Sequence, residues 1–310
     1  MITKSSKIFI AGHNGMVGSA CWKKLKKEGY INLIGISSKN LNLCDQKAVD
    51  DYIKAEKPKA IIDCAARVGG ILANESYPYE FLMENMLIQN NLIRSAHENN
   101  IEKFIFLGSS CIYPKFAIQP IKEEYLLTDS LEPTNQWYAL AKISGVKLIE
   151  SLRKQYERDY VSLMPTNLYG PNDNFDLKTS HVLPAMIRKF HEAKSKDHSD
   201  VVLWGTGSPL REFLHVDDLA NAIMFVLENK LDESLYNVGS ENDLSIKELA
   251  LLIQKVIGHK GNIIWDNTKP DGTPKKLIDS SKIISKGWTS SIKLDDGIKQ
   301  VYSWFLKNKL

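Results

Sequence analysis

Short apolar runs alternate with helical patterns through the first 170 residues, and this alternation limits the possible folds more than any other feature of the chain. The runs are KIFIA (7–11), LIGI (33–36), AIIDCAA (60–66), FIFLG (104–108) and VSLMPTNLYG (161–170). Near-continuous apolar strands joined by helices form a parallel sheet that is covered on both faces. We therefore predict an α/β fold with a doubly wound parallel sheet, whose ligands bind at the carboxyl ends of the strands.

Composition narrows the classes of function. The chain has 310 residues, a net charge of +3 and 43% hydrophobic residues. The charge is small and dispersed, which argues against a nucleic-acid or anionic-membrane partner. No stretch approaches the roughly 18 apolar residues of a membrane span, and no signal peptide is recognised at the start. The four cysteines are scattered without metal-like spacing, so we expect free thiols, no metal site and a reducing cytoplasmic location.

The glycines after the first apolar run indicate a dinucleotide. FIAGHNGMVGSA places Gly12, Gly15 and Gly18 between a strand and a helix. Glycines at this spacing allow a tight turn, and they let backbone N–H groups approach a pyrophosphate at a helix N-terminus. Three spaced glycines can also form a plain turn. The strand–turn–helix context favours a Rossmann-type dinucleotide site.

The end of the second strand indicates which dinucleotide binds. An NAD site usually has a carboxylate there to hold the ribose hydroxyls. The segment GISSKN has none, and it offers Ser37, Ser38 and Lys39 to a 2′-phosphate. This pattern favours NADP over NAD. The alternative interpretation is that Lys39 is a solvated loop cation.

A tyrosine and a lysine four residues apart indicate reductase chemistry. In NQWYALAK, Tyr138 and Lys142 share one face of a predicted helix. A nearby ammonium lowers a phenol pKa, so the phenol can deliver a proton as hydride reaches a carbonyl carbon. A surface pair is the alternative. The upstream glycine loop, together with Ser109 at a strand end, favours the catalytic interpretation.

The stretch LGSSCIYP (107–114) raises a separate question about Cys111. A cysteine after a core strand is usually a small buried hydrophobe. It can also be a reacting group, because it lies two residues from the candidate hydroxyl of Ser109. The residues alone leave both interpretations open.

After residue 170 the alternation of strands and helices gives way to turn-rich segments with further helices and short strands. We predict that residues 1–170 and about 213–240 form the NADP-binding domain. A smaller, interwoven C-terminal α/β domain, at about 171–212 and 241–310, is predicted to bind substrate.

Together these motifs resemble the extended short-chain dehydrogenase/reductase family, and most closely its epimerase/reductases that act on GDP-4-keto-6-deoxy sugars. The resemblance spans nearly the whole chain. It is carried by IAGHNGMVGSA, VGGILAN, FLGSSCIYP, EPTNQWYALAK, MPTNLYGPNDNF, SHVLPA, WGTGSPLREFLHVDD and KPDGTPKKL.

The resemblance implies three steps in one site. Cys111 and His181 would exchange the acidic protons on carbons 3 and 5 that flank the carbon 4 ketone. Ser109 and Tyr138 would hold the carbon 4 oxygen, and Lys142 would tune Tyr138 and bind the nicotinamide ribose. NADPH would then reduce carbon 4. Relatives of this type are commonly homodimers, with helices at about 78–99 and 135–156 predicted to form the interface.

The resemblance also implies binding residues for both ligands. Those for NADP are Gly12, Asn14, Gly15, Met16, Val17, Gly18, Ser37, Ser38, Lys39, Leu43, Leu107, Gly108, Ser110, Lys142, Pro165, Thr166, Asn167, Leu168 and His181. Those for the GDP-sugar are Lys189, Trp204, Arg211 and Asp271. Arg211 suits the pyrophosphate, although it could instead pair with Asp217 or Asp218. Trp204 could equally be a core residue, and Lys189 a solvated charge.

Several departures from the family pattern keep other functions open. Asn14 and Ser38 replace arginines, Arg67 replaces a lysine, and residues 177–179 differ in a loop that faces the sugar. One alternative is a GDP-4-keto-6-deoxy-heptose carbon 4 reductase with little or no epimerase activity. A more distant alternative is a non-catalytic NADP-binding sensor or scaffold, which would have no need of a proton donor at Tyr138.

Overall fold

A computed structural model describes residues 1–177, 179–197, 199–269 and 271–308, without the side chain of residue 71. The strands are β1 (Ile8–Ala11), β2 (Leu33–Ile34), β3 (Ala60–Asp63), β4 (Lys103–Leu107), β5 (Asp159–Pro165), β6 (Asn167–Tyr169), β7 (Val201–Trp204), β8 (Leu210–His215), β9 (Leu235–Val238), β10 (Asp243–Ser245), β11 (Ile263–Asp266) and β12 (Lys275–Lys276). The helices are α1 (Met16–Lys27), α2 (Gln46–Glu56), α3 (Ile71–Ser76), α4 (Pro78–Glu98), α5 (Gln136–Tyr156), α6 (Val182–Ser195), α7 (Val216–Glu228), α8 (Ile246–Ile257), α9 (Ser281–Ser285) and α10 (Leu294–Asn308).

The large sheet has six parallel strands in the order β2-β1-β3-β4-β5-β9. Alternate residues of each strand face opposite layers. On β1, Ile8 and Ile10 pack toward α1 and α7, whereas Phe9 and Ala11 pack toward α2, α4 and α5. The chain reverses direction across the sheet between β1 and β3, which is where doubly wound sheets bind their ligands. The predicted fold class is confirmed.

The second unit consists of smaller sheets. Strand β8 pairs with β10, β12 and β6, and β7 pairs with β11. Helices α6, α8 and α10 cover these strands around a core that includes Phe190, Leu249 and Phe305. This unit supplies the surface that faces the carboxyl edge of the large sheet.

The run VSLMPTNLYG was expected to be one strand, and the structure divides it in two. Thr166 ends the pairing with β9, since its N–H donates to the Val238 carbonyl at 3.1 Å. The Asn167 side chain then donates to the Glu212 carbonyl at 2.8 Å, where β6 begins to pair with β8. The chain therefore crosses from the large sheet to the small one beside the site.

The domain boundaries stay a prediction. Late in the chain, Ile283 and Trp288 pack in the core of the large sheet, although the expected division places them with the substrate domain. Within the described ranges, no helix is both long and apolar enough to cross a membrane.

Candidate active site

The glycine loop forms the tight turn that the motif predicts. Gly12 has a φ of +76°, and the Gly15 N–H donates to its carbonyl at 3.0 Å. A Cβ on Gly18 would lie 2.2 Å from the Gly12 oxygen, so the helix can start this close to the turn only with glycine there. No side chain caps α1. Its first amide groups therefore face outward, and together with the helix dipole they fit a pyrophosphate.

The other predicted cofactor residues lie at the carboxyl ends of neighbouring strands. Ser37, Ser38 and Lys39 follow β2, with Ser38 and Lys39 exposed. Residues 107–110 end β4, and a Cβ on Gly108 would lie 2.0 Å from the Met164 methyl group. Residues 165–168 link β5 to β6. The remaining ones, Asn14, Met16, Val17 and Leu43, lie in or beside the same edge. These positions therefore lie along the carboxyl edge of the large sheet, where doubly wound sheets bind their ligands.

Tyr138 and Lys142 lie in the first two turns of α5, as their spacing predicts. The Lys142 ammonium donates to the Leu107 carbonyl at 2.8 Å and lies 5.8 Å from the centre of the Tyr138 ring. Burial raises the pKa of Tyr138, and the nearby Cys111 and Asp63 raise it further. The net shift is therefore opposite to the lowering expected from the ammonium, whose hydrogen bond goes to the backbone of β4.

Cys111 lies in the turn directly after β4, and its side chain is buried at 7% exposure. Its N–H donates to the Ser109 hydroxyl at 3.4 Å. Burial raises the pKa of the Cys111 thiol, while the Lys276 charge, the Ser109 hydroxyl and Lys142 oppose that rise. Cys111 is therefore a protonated thiol at neutral pH, able to donate a proton.

His181 directly precedes α6, where it is exposed and its side chain makes no capping hydrogen bond. Protein atoms around the imidazole displace water, and this desolvation lowers the pKa of His181. The charge of Lys276 lowers it further. His181 is therefore a neutral imidazole at pH 7, able to accept a proton. The charge of Lys276 therefore acts on both His181 and Cys111.

The segment before His181 packs on the VGG loop. The Gly70 N–H donates to the Thr179 carbonyl at 3.1 Å, and a Cβ on Gly70 would lie 3.0 Å from the Ser180 oxygen. Lys178, one of the departures from the family pattern, lies outside the described residues. The described part of this contact fixes the backbone that carries His181.

The four predicted substrate residues gather around β7 and the loop before β12. The Lys189 ammonium donates to the Val202 carbonyl at 2.9 Å, and Trp204 is 60% exposed, so it is not a core residue. The Asp271 carboxylate accepts the Thr206 N–H at 2.7 Å, which ties its loop to β7.

Arg211 lies between β10 and β12, with its guanidinium 3.5 Å from the Cβ position of Gly272. The suggested partner Asp218 instead accepts bonds from Ser291 and Ile292. Asp217 is held beside His215. Arg211 is therefore not engaged by either aspartate.

Two residues of the site were not assigned from the sequence. Lys276 was quoted within KPDGTPKKL without a role, and only the pairing of β12 with β8 brings it beside Arg211. Asp63 was read as part of a strand. The sequence feature that could have identified it is a carboxylate within the apolar run AIIDCAA. Such a carboxylate is unusual because buried charges need a partner.

The fold and the glycine loop define a dinucleotide-dependent enzyme. The family described as "NAD dependent epimerase/dehydratase family" matches residues 8–239, and the chain belongs to it.

Two similar relatives are named as GDP-L-fucose synthases. GDP-L-fucose synthase 1 of Arabidopsis thaliana is 55% identical, over 99% of this chain and 95% of the relative. GDP-L-fucose synthase of Escherichia coli (strain K12) is 49% identical, over 98% and 97%. A solved structure, a GDP-mannoheptose C4 reductase from Campylobacter jejuni with NADP bound, is 37% identical with a TM-score of 0.91, over 99% of this chain and 100% of that chain. These findings confirm the resemblance that the motifs predicted.

Proposed function

We propose that the chain catalyses NADPH-dependent reduction of carbon 4 of a GDP-4-keto-6-deoxy sugar, preceded by epimerisation at carbons 3 and 5 in the same site. One observation carries this proposal beyond a simple reductase. The turn after β4 carries both Ser109 and the Cys111 thiol. Cys111 acts on the pKa of Tyr138 on α5, and the charge of Lys276 acts on the pKa of both Cys111 and His181 at the start of α6. The named activity of the relatives at about half identity supports the same reaction.

Epimerisation needs a base on one face of the sugar and an acid on the other. The neutral His181 accepts a proton from a carbon beside the ketone, and the protonated Cys111 donates one. We propose that the Ser109 and Tyr138 hydroxyls hold the carbon 4 oxygen, where they stabilise the negative charge that develops during proton removal.

Reduction uses the same hydroxyls. NADPH supplies the hydride to carbon 4 when bound. Tyr138, which is protonated at neutral pH because burial raises its pKa, delivers its proton to the carbon 4 oxygen. We propose that Lys142 then turns from the Leu107 carbonyl toward the ribose and the phenol.

We propose that the NADP groove comprises the glycine loop, Ser37 to Lys39 and the ends of β4 and β5, with Lys142 and His181 at the nicotinamide end. The tight turn at Gly12, the close packing of Gly18 and the uncapped start of α1 fit the pyrophosphate. Lys189, Trp204, Arg211 and Asp271 border the position proposed for GDP. Arg211, which neither Asp217 nor Asp218 binds, suits the diphosphate.

A second candidate is reduction of the corresponding heptose. It is favoured by the likeness to the Campylobacter jejuni heptose reductase, and by Leu177 and Thr179 in the loop next to His181. One experiment separates the two: incubation with NADPH and either GDP-4-keto-6-deoxy-mannose or its heptose counterpart, with the products read by NMR. Inversion at carbons 3 and 5 of the hexose supports the main proposal. Turnover of the heptose alone, without inversion, supports the second, and NADP binding without turnover of either supports a sensor.

We propose a homodimer formed through α4 and α5. These helices pack side by side, and they expose large apolar side chains, namely Tyr79, Met83, Leu87, Trp137 and Leu140. Exposed apolar side chains in such a patch mark interaction sites.

We also propose a cytoplasmic location, which the free state of Cys21, Cys44, Cys64 and Cys111 supports.

A further inference from the structure

We propose that Asp63 is a positioning residue for the reduction step: its buried carboxylate is the counter-charge that keeps the Lys142 ammonium protonated inside the protein. This inference rests on the proposed function and adds a residue to its machinery. It is carried by the register of the strands, by an unpartnered oxygen and by the set of charges that surrounds the two groups.

The register places Asp63 beside the reacting groups. As the last residue of β3, it pairs with Ala11 on β1 and with Phe106 on β4. Ile61, two residues earlier, faces the layer that includes α5, so the Asp63 side chain points to that layer too. The Phe106 ring on the same face lies 4.7 Å from the Lys142 ammonium. Asp63 therefore lies between the start of the glycine loop and Lys142.

The Asp63 carboxylate is only partly satisfied. Its side chain is 1% exposed, and one oxygen accepts the Ala65 N–H at 3.1 Å. The other oxygen, Oδ2, is buried with no hydrogen-bond partner among the described residues. An unpaired buried oxygen of this kind is costly, so its presence calls for a functional explanation. Burial raises the pKa of Asp63 to about 6, and the Lys142 charge opposes that rise.

Lys142 needs such a partner. It is 3% exposed, and burial lowers the pKa of its ammonium. The groups that act on the pair are Cys64 after β3, Cys111 after β4, and Tyr138 on α5. Burial raises the pKa of all three, so they are neutral at pH 7. Asp63 is thus the group that supplies negative charge among them.

The interaction acts at a distance. Within the described ranges, no carboxylate lies within 4.0 Å of the Lys142 ammonium, whose hydrogen bond goes to Leu107. In a buried environment charges interact over longer distances than in water. The ammonium is therefore stabilised by Asp63 while it stays able to turn toward the ribose and Tyr138.

The substitution Asp63→Asn tests this role, because it keeps the shape and can still accept the Ala65 N–H. Without the carboxylate, Lys142 loses its proton at lower pH. We expect the alkaline limb of kcat/KM for carbon 4 reduction to move to lower pH, so that the ratio of kcat/KM at pH 7 to that at pH 9 rises about threefold or more. A merely structural role predicts that kcat/KM falls equally at every pH. If the alkaline limb of kcat/KM does not move in folded Asp63→Asn, the proposal is overturned.

Asp159→Asn is a matched control. Asp159 accepts a 2.8 Å bond from the buried Lys103 at the opposite edge of the same sheet. Its loss removes the carboxylate partner of another buried lysine, and we expect it to lower the melting temperature without moving the pH profile.

A measurement without turnover separates this inference from the proposed function. In protein with ¹³C-labelled aspartate carboxyls, the Asp63 resonance is identified by its loss in Asp63→Asn. We expect it to titrate near pH 6 in the wild type and at higher pH in Lys142→Met, which lacks the opposing charge. Titration at the same pH in both proteins overturns the coupling, whether or not the wild type reduces a keto sugar.

Discussion

The Lys142 ammonium donates its hydrogen bond to the Leu107 carbonyl at 2.8 Å rather than to the Tyr138 hydroxyl. Leu107 ends β4, and the turn that follows it carries Ser109 and Cys111. The lysine therefore holds α5 against the strand end that presents the proposed acid–base groups.

Replacing Tyr138 with phenylalanine removes the proposed proton donor while keeping the ring. We expect kcat for carbon 4 reduction to fall by about 10²–10⁴-fold, the usual contribution of a positioned proton donor, with NADPH affinity retained. Tyr156→Phe, at the exposed far end of the same helix, is the control. NADPH oxidation in the presence of the keto sugar gives the rate, and an undiminished rate in Tyr138→Phe contradicts the mechanism.

Cys111→Ser should separate epimerisation from reduction. A serine hydroxyl has a much higher pKa than a thiol, so proton exchange at carbons 3 and 5 is expected to slow by at least about 10²-fold. NADPH oxidation should slow less. The measurement is deuterium uptake from D₂O by mass spectrometry, with Cys44→Ser as the control. Native deuterium uptake in Cys111→Ser would show that the thiol is only a packing group.

The pH dependence of proton exchange reports on His181. Desolvation and the charge of Lys276 lower the pKa of His181 below 6.5, so the neutral imidazole persists into mildly acidic solution. Deuterium uptake is therefore expected to stay constant from pH 8 to 6.5 and to fall only below that, as the imidazole becomes protonated. A fall that begins above pH 6.5, or an unchanged rate in His181→Gln, contradicts this assignment.

Lys39→Ala tests the cofactor preference. The exposed ammonium after β2 is proposed to bind the 2′-phosphate, and a hydrogen bond to a charged group contributes enough to expect a loss of about tenfold in the kcat/KM ratio of NADPH to NADH. Lys54→Ala, an exposed lysine of α2, is the control. Equal ratios in Lys39→Ala and the wild type would make Lys39 a solvated loop cation.

Leu140→Asp places a charge on the exposed face of α5, where Leu140 is 40% exposed. If this face is the dimer interface, burying an unpaired carboxylate should shift the protein to a monomer in analytical ultracentrifugation. Leu251→Asp changes another exposed leucine, on α8, and should leave the assembly intact. A monomeric wild type, or a dimeric Leu140→Asp, excludes this interface.

Local patterns made part of this site predictable from the sequence. The turn at Gly12 and the shared helix face of Tyr138 and Lys142 depend on neighbouring residues, so spacing alone predicts them. Asp63 and Lys276 depend on strand register across long sequence separations, which spacing does not give. The direction of the Lys142 side chain depends on a backbone carbonyl on another element. The division of residues 161–170 between two sheets depends on the partners Val238 and Glu212.

The site is assembled from two units, and this arrangement has an evolutionary consequence. Ser109, Tyr138 and Lys142 all belong to the large sheet and its helix α5, whereas His181 starts α6 on the smaller unit. Under the proposed mechanism, substitutions near the start of α6 can therefore change the stereochemistry of the product without touching Ser109, Tyr138 or Lys142. A lineage could lose or regain inversion at carbons 3 and 5, or accept a longer sugar, while hydride transfer to carbon 4 stays under selection.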